Sequence, residues 1–134
     1  MKTNFHSQPR KFSPLPSIEL SDMGSIYLEE NEQITILAGG SKGNDITRKS
    51  WGYYLSNSLN SNLVEKGFRT GLVVSYASSP PRLYLNLVEN DKINDYLAYL
   101  TEFNAKLVCW LDEWPLKQDS VTVNTCKVCG QFTP

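Results

Sequence analysis

Apolar and polar residues alternate over residues 17–21 (Ser-Ile-Glu-Leu-Ser) and 25–29 (Ser-Ile-Tyr-Leu-Glu), with Asp22-Met23-Gly24 between them. Period-two alternation marks a half-buried strand and the intervening residues have turn chemistry, so this stretch predicts a β-hairpin. Residues 33–38 (Gln-Ile-Thr-Ile-Leu-Ala) read as a third strand. The glycine-rich loop 39–44 then returns the chain into residues 45–54, which read as a fourth. There the period changes. Leu55, Leu59 and Leu63 recur every four residues, and Gly67 stands where a left-handed cap closes a helix. Residues 56–66 therefore predict a short helix, weakened by its serines and asparagines.

Residues 68–76 and 83–89 read as a second hairpin around Ala77-Ser78-Ser79-Pro80-Pro81, whose prolines cannot extend a ladder. Ile93, Tyr96, Leu97, Leu100 and Phe103 fall on one helical stripe, with Asn90 or Asp91 as its cap and Asn104 as its stop. Residues 105–111 form a nearly continuous apolar run, the pattern of a strand central in a sheet or buried on both faces.

From residue 33 the order is strand, helix, strand, strand, helix, strand. The expected fold class is α+β, an antiparallel sheet with two helices on one face in ferredoxin-like (split βαβ) order, preceded by an extra β-hairpin. That order serves many activities and assigns none. Pro9, Pro14 and Pro16 among polar and basic neighbours predict a flexible arm over residues 1–16. After Trp114-Pro115 the composition turns polar. The expected plan is an arm at 1–16, a single α+β domain at 17–114, and a tail at 115–134 carrying a Cys-x-x-Cys knuckle.

The 134 residues include 13 basic and 14 acidic side chains, a formal net charge of -1, so no global field attracts nucleic acid or anionic lipid. No window approaches the roughly 20 apolar residues of a membrane span, and the first residues have charge without an apolar run behind them. A cytoplasmic location without a membrane partner is the expectation. Three cysteines cannot all pair, which argues against a disulfide-stapled scaffold.

Cys126-Lys127-Val128-Cys129-Gly130 is the strongest chemical signal. Two thiolates at this spacing supply half of a tetrahedral zinc site. The other soft ligands are Cys109, inside an apolar run, and His6, in the arm. Zinc is thus expected only if Cys126 and Cys129 of two subunits share it in a homodimer; otherwise they are free thiols in a tail. A redox motif needs a helix start that Asn124-Thr125 does not resemble.

Arg48-Lys49-Ser50-Trp51-Gly52-Tyr53-Tyr54 sets two cations beside three aromatics. Arg48, Lys49, Trp51 and Tyr54, with Arg69, are the candidate ligand-binding residues for a nucleotide, phosphorylated metabolite or sugar, because rings stack planar partners and guanidinium forks match oxyanions. The competing reading puts Trp51 and Tyr54 in the core and leaves Arg48 and Lys49 solvated. The loop from Gly39 to Asp45 fails the phosphate-loop pattern, because its lysine precedes the last glycine. The aromatic signature of RNA-recognition domains is absent from residues 83–89. With one histidine in the arm, and with Glu29-Glu30 and Asp112-Glu113 read as solvated acids, no catalytic constellation emerges.

The leading expectation is a non-enzymatic interaction or accessory module that self-associates or docks on a partner protein. The alternatives are a small-ligand binder and a nucleic-acid-associated protein using Lys2, Arg10 and Lys11.

Overall fold

The computed structural model describes residues 1–113. Of these, 58% are strand and 18% helical, in three small antiparallel sheets with one substantial helix. The expected ferredoxin-like fold with two helices on one face is therefore overturned. The chain divides into two compact units, one spanning Met1–Ser56 and one beginning at Asn57. Among the described residues no helix is long and apolar enough to cross a membrane.

The first unit opens with strands β1 (Lys2–Leu15) and β2 (Ile18–Tyr27), paired as a two-stranded ribbon. Residues expected to form a flexible arm are thus strand, and the hairpin turn lies at Pro16-Ser17 instead of at 22–24. The prolines that suggested an arm fall where the ladder breaks. Register shifts separate Phe5 from Arg10 and Phe12 from Leu15, and Pro9 and Pro14 sit in those gaps, where a missing N–H costs no ladder bond. Asp22-Met23-Gly24 serves the same irregularity. Gly24 has φ +125, and a Cβ there would lie 2.2 Å from the Asn4 carbonyl oxygen, so the close approach of the two strands requires glycine.

Strands β3 (Gln33–Gly39), β4 (Lys42–Lys49) and β5 (Gly52–Leu55) form a separate meander in that order. The single strand expected over 45–54 is broken at Ser50-Trp51 by a tight turn into Gly52, whose φ of +146 is open to glycine.

In the second unit, helix α1 (Asn62–Glu65) is only one turn long. The leucine spacing promised more, but Ser56 to Ser61 hold the chain in local turns; the Ser58 hydroxyl, for instance, accepts the Asn62 amide at 2.9 Å. Gly67 adopts the expected left-handed conformation at φ +85. Strands β6 (Phe68–Ser75), β7 (Arg82–Glu89) and β8 (Ala105–Trp110) form the third sheet in the order β7-β6-β8. Helix α2 (Ile93–Glu102) carries the chain from one edge to the other. The apolar run expected to be a central strand is the edge strand β8; its alternation is masked by a bulge beside Leu72 that lets Leu107 and Trp110 pair with Val73 and Gly71.

Burial is unequal. Of the six buried apolar residues among those described, Leu63, Phe68, Val73, Val88 and Leu100 belong to the second unit and Leu28 to the first. Gly71 is the close point between sheet and helix: a Cβ there would meet Leu107, the Tyr96 hydroxyl and the Trp110 ring at 3.0, 3.2 and 3.4 Å.

Candidate functional site

The β4–β5 hairpin brings four of the five candidate ligand-binding residues together. Lys49 opposes Gly52, Arg48 opposes Tyr53, and Thr47 opposes Tyr54. Opposed residues of an antiparallel pair share a face, and alternate residues switch face. Lys49, Thr47 and Tyr54 therefore lie on one side, and Arg48 and Tyr53 on the other.

Trp51, at the turn, is 71% exposed and stacks on Tyr54 with ring centroids 5.8 Å apart and planes 28° from parallel. The reading that placed these two rings in the core is overturned, because Tyr54 on its four-residue edge strand is 40% exposed and Trp51 more so. Across the sheet, Arg48 lies 5.1 Å from the Tyr53 ring centroid and donates to the Gly52 carbonyl at 3.2 Å, pinning the turn. Lys49 donates from Nζ to Asn31 Oδ1 at 2.6 Å. The polar row continues on the Tyr54 side: Thr47 donates to Gln33 Oε1 at 2.8 Å, and Thr35 to Asp45 Oδ1 at 2.7 Å.

Arg69, the fifth candidate, belongs to the second unit and is engaged internally. Its Nε donates to Asp112 Oδ2 at 3.1 Å, another guanidinium nitrogen bonds Glu113, and the guanidinium carbon lies 4.2 Å over the Trp110 ring. The other Asp112 oxygen accepts the Thr70 amide at 3.2 Å. Asp112, 7% exposed at its side chain, thus ties the turn after β8 to β6. Sequence reasoning took it for a solvated acid. The one available signal was its place directly behind an apolar strand, where a carboxylate must find donors.

The second surface of interest is the ribbon. Phe12 opposes Leu20, Leu15 opposes Ile18, and Phe5 and Thr3 oppose Gly24 and Ile26, all on the face of the even-numbered β2 residues. Phe5, Phe12, Leu20 and Ile26 on that face are 60%, 44%, 46% and 42% exposed. The opposite face pairs Lys11 with Glu19 at 2.7 Å among serines, and shows two large apolar side chains, Met23 and Tyr27, against the four of the first face. Among the apolar side chains sits Asp22, which bonds Arg10 at 2.8 Å and lies 3.7 Å from His6. The Gly24 amide, and then Arg10, hold the Asp22 carboxyl below its ordinary 3.8. The basic residues of the supposed nucleic-acid arm are accordingly spoken for at Arg10 and Lys11.

No group of three or more metal-ligating side chains exists among the described residues. Cys126 and Cys129 lie outside them, and Cys109 is a half-buried free thiol. No family model, curated protein or solved structure matches this chain.

Proposed function

We propose that this chain is a non-enzymatic interaction module that lays the apolar face of its β1–β2 ribbon against a partner, a second copy of itself or another protein. One observation carries the reading: a ribbon of only two strands keeps Phe5, Phe12, Leu20 and Ile26 exposed on one side. An isolated two-stranded hairpin is marginal in water, and three strands or a packed cover are needed for independent stability. An amphipathic ribbon that has neither among the described residues gains most by burying that face in an assembly, at roughly 25 cal/mol per Å² of apolar surface removed from water.

Self-association also gives the cysteine knuckle a use. Two thiolates per chain supply half of a zinc site, so the paired knuckles of two subunits would complete it, and purified protein should then carry one zinc per two chains.

The test is hydrogen exchange of the ribbon amides together with sedimentation from micromolar to millimolar concentration. Mass and ribbon protection rising together, both lost in Phe12→Asp, support the module. Slow ribbon exchange in a monomer would show that the ribbon needs no cover, and the reading fails.

A further inference from the structure

We propose that the β3-β4-β5 sheet carries a binding site for a neutral sugar, with a pyranose ring stacked on Trp51 and Tyr54 and its hydroxyls met by the polar row beside them. Three observations lead there. Among the described residues Trp51 is the most exposed of the large hydrophobic side chains, at 71%, yet it is not loose: it stacks on Tyr54, and the turn that carries it is pinned by Arg48. A rigid, exposed, nearly coplanar pair of rings is a preorganised platform, because little rotamer freedom remains to be lost on binding. Its natural occupant is a flat face that is apolar in the middle and polar at the rim.

Second, the neighbouring groups on that side are hydrogen-bonding rather than apolar. Gln33 and Thr35 are exposed on the same face, one strand removed from Tyr54, and Asn31 accepts from Lys49, the residue opposite Gly52. Amides and hydroxyls of this kind both donate and accept, which suits a ring of hydroxyls that do the same.

Third, the charge of this face selects against an anion. Its Lys49 and Asp45 cancel formally, and Lys49 is already held by Asn31. Arg48, the fork that would grip a phosphate, lies on the opposite side of the sheet against Tyr53. A nucleotide would find a ring to stack on and no guanidinium for its phosphate. A neutral hexopyranose with equatorial hydroxyls needs only what the face offers.

The experiment titrates the full chain with cellohexaose, xylohexaose, chitohexaose and laminarihexaose, followed by tryptophan fluorescence and amide chemical shifts, with AMP as the anionic competitor. Saturable binding of at least one oligosaccharide is expected, with shifts at residues 31–35 and 51–54. Trp51→Ala should weaken it about tenfold or more, the scale of one lost stacking contact. Tyr53→Ala, on the opposite side, should leave it unchanged. Because Trp51 is exposed, its removal is not expected to unfold the sheet, and far-UV circular dichroism checks this. Should Trp51→Ala disturb the fold, Gln33→Ala, which removes hydroxyl contacts without touching the rings, must weaken binding in its place. No binding of any of the four sugars, binding indifferent to Trp51 and Gln33, or AMP binding tighter than every sugar would each overturn the proposal.

Discussion

The β1–β2 ribbon and the β7-β6-β8 sheet are built from strands of similar pattern and come to opposite ends. In the sheet, a third strand and helix α2 bury Val73, Val88 and Leu100 to 5% exposure or less. In the ribbon, Phe5 and Phe12 likewise stand between polar neighbours and are brought to one face by the register shift, yet stay 60% and 44% exposed. Alternation makes a surface amphipathic; it does not supply the second layer that closes a core. The difference teaches where stability resides in this chain and where contact with other molecules is to be sought.

The largest effect should come from the covered region. Leu63 is fully buried, so Leu63→Ala is expected to cost about 2–5 kcal/mol, loosening amide protection in β6 and leaving the ribbon's own exchange as it was. Equal loss in both regions would erase the distinction drawn between them. Asp112→Ala comes next, at about 2–4 kcal/mol, since it strips a partly buried Arg69 of its carboxylate and the Thr70 amide of its acceptor. Thermal unfolding of the variant gives the size, and a loss no greater than that of a surface substitution would mean that Glu113 alone holds the arginine.

Opposite ends of the pH scale should separate the two regions further. In the sheet, the Tyr96 hydroxyl is buried without a hydrogen-bond partner, and that burial raises its pKa above the ordinary 10.0. The folded form disfavours the phenolate, so stability is intact below pH 10 and falls as pH rises from there through the folded pKa. Tyr96→Phe should remove this alkaline loss and raise stability near neutrality by about 1 kcal/mol, because an unpartnered polar atom leaves the interior. In the ribbon the sign is reversed. Asp22 is held below 3.8, so its contribution is present above that value and lost as pH falls through its lower folded pKa. Acid should loosen the amide of Gly24 before those of β6, as exchange or chemical shifts followed below pH 4 can show. Simultaneous loss in both regions would sink this part of the contrast.

Strands β6 and β7 and helix α2 were legible because their periods are clean and their ends are marked by Gly67 and Asn104, both with positive φ. What misled were residues with two uses. Leu55, Leu59 and Leu63 have helical spacing, but the serines between them prefer turns, and one helical turn survives. Asp22-Met23-Gly24 is turn chemistry spent on a strand irregularity, and the prolines of β1 fill register gaps instead of forbidding a strand. At the candidate site, composition picked out Arg48, Lys49, Trp51 and Tyr54 as neighbours, and pairing alone could tell that Arg48 faces away from Tyr54. Gln33 and Asn31 passed unnoticed because a neutral amide has no sequence signal until the sheet order places it on the same face as the rings, with Thr47 between Gln33 and Tyr54. Arg69 carried the right chemistry but is bound by acids more than forty residues further along the chain.

The smallest expected effect on stability is also the sharpest test of the contrast. Phe12 opposes Leu20 on the open face of the ribbon, and at 44% exposure it ranks with the exposed side chains and not with the core. Phe12→Ser should therefore change the unfolding free energy of the isolated chain by no more than about 0.5 kcal/mol, the range of ordinary surface substitutions. In an assembly that buries this face, the same change removes an aromatic anchor, and the loss of association should be at least about 2 kcal/mol, some thirtyfold in the dissociation constant. A large ratio between the two measurements, made by denaturant melts and by sedimentation on one variant, identifies a side chain kept for contact. A Phe12 that matters equally to folding and to association would be a core residue after all, and the ribbon would then resemble the covered sheet in the respect that now divides them.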